Sequence, residues 1–318
     1  MKVTDYFAKA NGNTLISFEI LPPLKGGSID SIFNILDPLM EFRPPFVDVT
    51  YHREDFVYRK NESGVNEKVA IRKRPGTVVI SQAIQNRYGV DAVPHLICGG
   101  FTRQETEDAL IDMAYAKINN VLALRGDARK FEGSFIPEPQ GHHYAIDLIR
   151  QINEMNHGKY IDDDLIDGAH SNFCIGIAGY PEKHFEAPSM ESEIHFIKEK
   201  IKAGGEYIVT QMFFDNKKYF DFVDLCRKND ITVPIVPGLK PLTRKSQLKS
   251  LPETFFIHLP EELEKAALAA KTTDEIKQVG IEWGIAQCKE LKAAKVPSLH
   301  FYTMGDSETT RKIAEKVF

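Results

Sequence analysis

Short runs of apolar, β-branched and aromatic residues alternate along the chain with longer stretches whose apolar positions recur every three or four residues. The runs are LISFEI (15–20), FVDVT (46–50), VPHLIC (93–98), NVLALR (120–125), FCIGIAG (173–179), YIVTQMFF (207–214), VPIVPG (233–238) and SLHFYT (298–303). Each suits a buried β-strand. The first must finish near Ile20 or Leu21, because the Pro22-Pro23 pair cannot continue a ladder. Helix-like stretches lie between them, among them SIDSIFNILDPLMEF, TRQETEDALIDMAYAKIN and MESEIHFIKEKIKAGG. The second opens on Thr102 with Glu105 three residues on, a capping-box pattern. The third stops at Gly204-Gly205. MKVTDYFAKA, at the start, reads as a short amphipathic helix.

Alternating strands and helices predict right-handed βαβ units and a parallel sheet. About eight such units match a closed (β/α)8 barrel of the TIM type, an α/β fold. The expectation is therefore one barrel domain over residues 1–318, preceded by the short N-terminal helix. A doubly wound open sheet is the alternative, but it needs fewer strands for this length. No internal repeat, low-complexity tract or linker divides the chain. Two long polar stretches depart from a minimal barrel, 52–77 and 156–172. The first follows a strand and belongs on the catalytic face; the second precedes one and belongs on the opposite face.

Composition adds exclusions. A chain of 318 residues with 42% hydrophobic content can fill a barrel core. A net charge of −5 favours neither a nucleic-acid surface nor an anionic membrane. There is no long apolar stretch and no signal-peptide pattern. Cys98, Cys174, Cys226 and Cys288 are scattered without metal spacing, which reads as reduced thiols in a cytoplasmic protein.

Barrel enzymes draw catalytic groups from the C-terminal ends of several strands. Here those positions read Glu19, Thr50-Tyr51, His95, Arg125-Gly126-Asp127, Tyr180 to His184, Gln211, Gly238 and Tyr302-Thr303. One such residue is usually structural; a ring of them predicts an enzyme without saying which. Glu19, beside Phe18 and Pro22, would be partly desolvated, which raises a carboxylate pKa and suits a general acid. A buried ion pair with Arg125 accounts for it equally well. GYPEKHFEA (179–187) suits a planar cofactor and its phosphates, or a plain turn. No metal cluster, G-x-S-x-G, Walker loop or G-x-G-x-x-G finger accompanies these residues.

The stretches SFEILPP, FVDVTYH, PHLIC, ALRGD, HYAIDLI, GYPEKHFEA, VTQMFFD, IVPGLKPL and HFYT occur in one order from Ser17 to Thr303. In that order they resemble the methylenetetrahydrofolate reductase family, FAD-containing (β/α)8 barrels that make 5-methyltetrahydrofolate. The resemblance implies FAD as cofactor, NADH or NADPH as co-substrate, methylenetetrahydrofolate as substrate, and a homo-oligomer. Glu19 matches the family's proton donor to the pterin. Asp127 matches the aspartate near flavin and folate, whose charge would stabilise a cationic iminium. Thr50, Tyr51, His95, Arg125, Gly126, Asp127, Tyr144, Ala145, Tyr180, His184, Ala187, Glu193 and Lys200 fall on FAD-contacting positions. Arg125 and Lys200 are the natural partners for a pyrophosphate. Gln211 and Gln247 match substrate contacts, and overlap of the folate and nicotinamide sites implies ping-pong kinetics.

Two positions depart from the family. Many relatives follow HFYT with Leu-Asn-Arg, whose arginine binds folate, where this chain has Met304-Gly305-Asp306. Leu251 stands where some relatives carry an aromatic against the nicotinamide. Basic residues of the 52–77 stretch (Arg53, Arg59, Lys60, Arg72, Lys73, Arg74) are candidates for the missing cation, although charge runs are more often solvated faces. Two other functions stay open at this point: a flavin barrel of the proline-dehydrogenase type, and a flavin-binding subunit reduced by a partner protein.

Overall fold

Pro237, without a backbone N–H, breaks one stave of the barrel in two and yet lets it close. The computed structural model describes residues 1–128 and 132–318. Its parallel strands are β1 (Leu15–Ile20), β2 (Phe46–Val49), β5 (Asp91–Ile97), β6 (Asn120–Leu124), β7 (Cys174–Gly179), β8 (Tyr207–Thr210), β9 (Ile235–Val236), β10 (Gly238–Leu239) and β11 (Ser298–Tyr302). A hairpin of β3 (Asp55–Lys60) and β4 (Asn66–Ile71) stands apart from them. The barrel order is β10-β11-β1-β2-β5-β6-β7-β8-β9. β9 pairs with β8 and β10 with β11, while the Pro237 carbonyl accepts from the His300 amide at 3.1 Å. These nine strands thus occupy eight stave positions, the (β/α)8 TIM barrel that the alternating pattern predicts. The seventh stave is two short pieces rather than the continuous 233–238, and the sixth ends at Thr210 rather than at Phe214.

Helices α2 (Asp30–Leu36), α3 (Thr77–Tyr88), α4 (Arg103–Tyr115), α5 (Ala145–Asn156), α6 (Met190–Lys202), α7 (Asn216–Lys228) and α10 (Thr273–Ala293) form most of the outer layer; α8 (Gln247–Phe255) and α9 (Glu261–Ala269) precede α10, and α11 (Ser307–Val317) follows β11. Outward strand residues such as Ile16, Phe18, Val121 and Ile175 meet Leu110, Met113, Ile152 and Ile197 of these helices in one core. Each such side chain contributes roughly 1.5–3 kcal/mol by leaving water. The capping box of α4 forms as its sequence predicts: the Glu105 amide donates to Thr102 Oγ1 at 3.2 Å, and the Thr102 amide donates to the Glu105 carboxylate at 2.8 Å.

The N-terminal helix α1 (Val3–Lys9) is more than an appendage. It lies across the N-terminal end of the barrel, where Val3, Tyr6 and Phe7 join the inward residues Phe46, Val93, Leu122, Tyr207 and Val236. The Val3 amide donates to Asn120 Oδ1 at 2.8 Å, and Lys2 Nζ bonds Glu206 at 3.1 Å. The barrel is therefore sealed at one end.

Stretch 52–77 is the main local correction. It is largely an antiparallel hairpin, with Asp55 opposite Ile71 and Lys60 opposite Asn66. Asn61 Oδ1 accepts from the Ser63 and Val65 amides, and Gly64 takes a φ of 77°, which closes the turn. Lys73 pairs with Asp55, and Arg74 donates to the Pro22 carbonyl, tying the arm to the end of β1 on the mouth side. The 156–172 stretch leads into β7 on the opposite face, pinned where Glu107 accepts from the Ile161 amide at 2.7 Å. All four cysteines are free and buried. No helix of the described residues is long and apolar enough to cross a membrane.

Candidate active site

Strand parity decides what enters the barrel. In β1, Ile16 and Phe18 face the helices, whereas Ser17 and Glu19 face inward; in β2, Val47 and Val49 face outward and Asp48 inward. His95 of β5 lies between the two acids. Its Nε2 is 3.4 Å from Glu19 Oε2 and 3.5 Å from Asp48 Oδ2. Deeper in the barrel, Ser17 Oγ stands 2.9 Å from His300 Nδ1 and 3.1 Å from Ser298 Oγ.

Burial pushes the Glu19 carboxyl up to about 7; the His95 ring lowers it and the Asp48 charge raises it. Burial alone would depress His95, but the Asp48 and Glu19 carboxylates outweigh it and hold the imidazole above its ordinary value. A charged pair 4 Å apart is worth about 4 kcal/mol at an effective dielectric constant of ~20. His300 is pushed down by burial and stays the neutral partner of Ser17.

The Glu19 tip is fixed by its neighbour β11. The Glu19 carbonyl accepts from Thr303 N at 3.2 Å and from Thr303 Oγ1 at 2.7 Å. Across the mouth, Tyr302 donates to the Thr210 carbonyl at 2.6 Å. Gly238 makes that bond possible, because a Cβ there would lie 2.2 Å from Thr210 O and 2.5 Å from the Tyr302 hydroxyl.

Beside this acid lies a basic, aromatic rim. Arg125 Nη1 bonds Glu186 Oε2 at 2.6 Å, so the alternative of an Arg125–Glu19 ion pair is not realised. Tyr180 and His184 pack edge to face at 4.8 Å, and the Glu193 carboxylate accepts from the His184 amide at 3.1 Å. Burial depresses the Lys200 amine, Glu193 supports its charge, and Arg125 opposes it, so two cations share one rim. Gly126 takes a φ of +83° between Arg125 and Asp127. Asp127 is exposed, and its charge acts on His52, Tyr180 and His184. Tyr144 is the exposed N-cap of α5, Ala145 opens that helix, and the buried Ala187 accepts from Lys183 Nζ at 2.9 Å.

Other sequence candidates are engaged locally. The Tyr51 ring lies 5.1 Å from Phe101, and its hydroxyl accepts from Arg72 of the hairpin at 3.3 Å. Thr50 Oγ1 is buried without a hydrogen-bond partner among the described residues. Gln211 takes a half-buried place after β8, with its side-chain oxygen accepting from the Met212 amide at 2.9 Å. The Gln247 oxygen accepts from the amides of Thr243 at 2.7 Å and Arg244 at 3.0 Å, bracing the turn before α8 (Gln247–Phe255). Leu251 is core, packed with Met212, Phe214 and Leu259. Asp306 caps α11, accepting from the Thr309 amide at 3.0 Å.

Three residues escaped the sequence reading: Asp48, His300 and Lys240. Strand parity could have found the first two, since both are polar at inward positions of apolar runs. Lys240 is buried just past β10, and burial pulls its amine down to about 8 against the charge of Asp306.

Comparison with known proteins gives the family of the chain. The family model described as methylenetetrahydrofolate reductase matches residues 3–317. The 5,10-methylenetetrahydrofolate reductase of Escherichia coli is 30% identical over 307 residues, covering 96% of this chain and 91% of that protein. The Salmonella typhimurium protein of that name matches to the same extent. A probable NADH-type methylenetetrahydrofolate reductase of rice is 30% identical over 308 residues, covering 94% of this chain but 47% of its own length. The chain thus spans about half the length of the plant and yeast relatives. Among solved structures, a Clostridium thermocellum protein that binds two copies of 5-methyl-5,6,7,8-tetrahydrofolic acid superposes with a TM-score of 0.54 at 14% identity, covering 98% of each chain. At that identity the likeness speaks for the fold alone.

Proposed function

We propose, for a chain that belongs to the methylenetetrahydrofolate reductase family, that it reduces 5,10-methylenetetrahydrofolate to 5-methyltetrahydrofolate with FAD as hydride carrier and NADH or NADPH as hydride source. The observation that carries this reading is Glu19: an acid at a strand tip, buried beside an imidazole, with its pKa raised to about 7. Such a group can hold a proton at neutral pH and give it up to a basic nitrogen.

The rim suits FAD on two counts. The orphaned Thr50 hydroxyl has hydrogen-bonding capacity to spare, and Gly126 presents bare backbone at positive φ. Arg125 and Lys200 would hold the pyrophosphate, while Tyr180 and His184 flank the cofactor. When bound, FAD supplies two-electron chemistry, accepting a hydride from nicotinamide and delivering it to an electrophilic carbon.

This chain's residues would then act in sequence. Glu19 protonates the pterin and opens the methylene bridge to an iminium. Asp127 opposes the cation that forms. Gln211 and Gln247 contact the substrate, and use of one face in turn by nicotinamide and folate gives ping-pong kinetics. The same reading carries a cytoplasmic homo-oligomer.

An anaerobic absorbance titration tests it. NADH or NADPH should bleach the yellow protein, and methylenetetrahydrofolate should restore its colour. Flavin that no nicotinamide reduces would replace this reading with that of a subunit fed by a partner protein. Absence of flavin binding would remove it.

A further inference from the structure

Asp48 is wholly buried, and neither of its carboxylate oxygens has a hydrogen-bond donor among the described residues. A carboxylate taken out of water without a partner is strongly unfavourable. The group able to compensate it is His95, whose Nε2 lies 3.5 Å from Asp48 Oδ2 and 3.4 Å from Glu19 Oε2. One N–H shared between two carboxylates gives neither a full-strength bond. Whichever acid is ionised opposite the imidazolium leaves the other to keep its proton.

We propose that Asp48 is a positioning residue for the reaction: it holds the positive charge on His95 and so leaves the proton on Glu19 for the folate. This rests on the reductase reading above. Around His95 stand Glu19 from β1, Asp48 from β2, His52 from the segment after β2, and His300 from β11, while the charge of Asp48 acts on Tyr207 and those of both carboxylates on Tyr302. His300 does not compete for the charge, because it is buried and its Nδ1 is engaged with Ser17. The tyrosines, buried with raised pKa values, remain neutral.

The arrangement serves both sides of the proton transfer. Before it, Asp48 carries the negative charge and Glu19 is neutral. During it, the Glu19 O–H bond breaks as an N–H bond forms on the pterin. The new Glu19 carboxylate then stands 3.4 Å from an imidazolium already in place. Solvent returns the proton after product leaves.

Asp48→Asn tests the proposal, because the side chain keeps its shape and loses its charge. Glu19 then becomes the sole carboxylate opposite His95 and ionises. The midpoint of the folate half-reaction should move down by one pH unit or more, with a rate loss at pH 7 of about tenfold per unit. A uniform fall at every pH with an unmoved midpoint would make Asp48 merely structural and overturn the idea. A second measurement needs neither flavin nor folate. In wild-type protein labelled with 15N-histidine, the His95 ring, assigned by its loss in His95→Gln, should keep its imidazolium signature up to pH 8. A neutral ring at pH 7 would overturn the proposal. If wild-type reduced flavin is not reoxidised by methylenetetrahydrofolate, the reductase reading fails instead, and a neutral His95 ring would still overturn the Asp48–His95 pair.

Discussion

The Thr303 hydroxyl donates to the main-chain carbonyl of Glu19 at 2.7 Å, so the end of one stave holds the tip of the next. The acid is thereby aimed by backbone. Thr303→Val keeps the shape and removes the donor. We expect a stability loss of about 0.5–1.5 kcal/mol in urea unfolding. The folate half-reaction should slow several-fold, read by stopped-flow reoxidation; an undiminished rate would show that this bond does not aim the acid.

Glu19→Gln should separate the two half-reactions. Reduction of the flavin by nicotinamide needs no proton from Glu19 and should persist. Reoxidation by methylenetetrahydrofolate should fall by about 10²–10⁴-fold, the range of a lost general acid. In the wild type, reoxidation should decline as pH rises through about 7, where Glu19 loses its proton. Equal losses in both half-reactions would make Glu19 structural.

Stability gives an independent reading of the same group. A carboxyl raised from 4.5 to about 7 contributes stability that is complete below pH 4.5 and is lost as pH climbs to about 7. Glutamine has no such dependence. Relative to wild type, Glu19→Gln should gain little at pH 4.5 and up to about 3 kcal/mol above pH 7. Denaturant titrations at the two pH values test this; a constant difference between the proteins would contradict it.

Arg125→Gln should weaken FAD binding by about 10- to 100-fold, as expected when a charge-assisted contact to a phosphate is lost. Its partner Glu186 is partly exposed and can turn to water, so the thermal midpoint of the flavin-free protein should barely move. Quenching of flavin fluorescence measures the first quantity and calorimetry the second.

The barrel was legible because its signal is repetitive: buried runs with helical stretches between them leave few other ways to close a sheet. Glu19 was legible because a charge at the end of LISFEI is conspicuous in one dimension. Its partner was not. The choice between Arg125 and His95 turns on which stave lies beside which, and pairing order is a property of the closed sheet. The role of Asp48 was hidden for a related reason: parity turns the acid of FVDVT inward, but only the closed sheet brings His95 of β5 against it. The hairpin at 55–71 was hidden by its charges, which describe its solvated faces but not the backbone pairing beneath them.

The helix sealing the barrel's closed end has a temporal consequence. Lys2 and Val3 leave the ribosome well before their partners Glu206 and Asn120 are made. Until β8 has been synthesised, Val3, Tyr6 and Phe7 have no complete surface to cover and remain exposed on the growing chain. Docking of this segment therefore reports that most of the staves are already in place. A fluorophore near residue 6 would therefore follow a late step of folding.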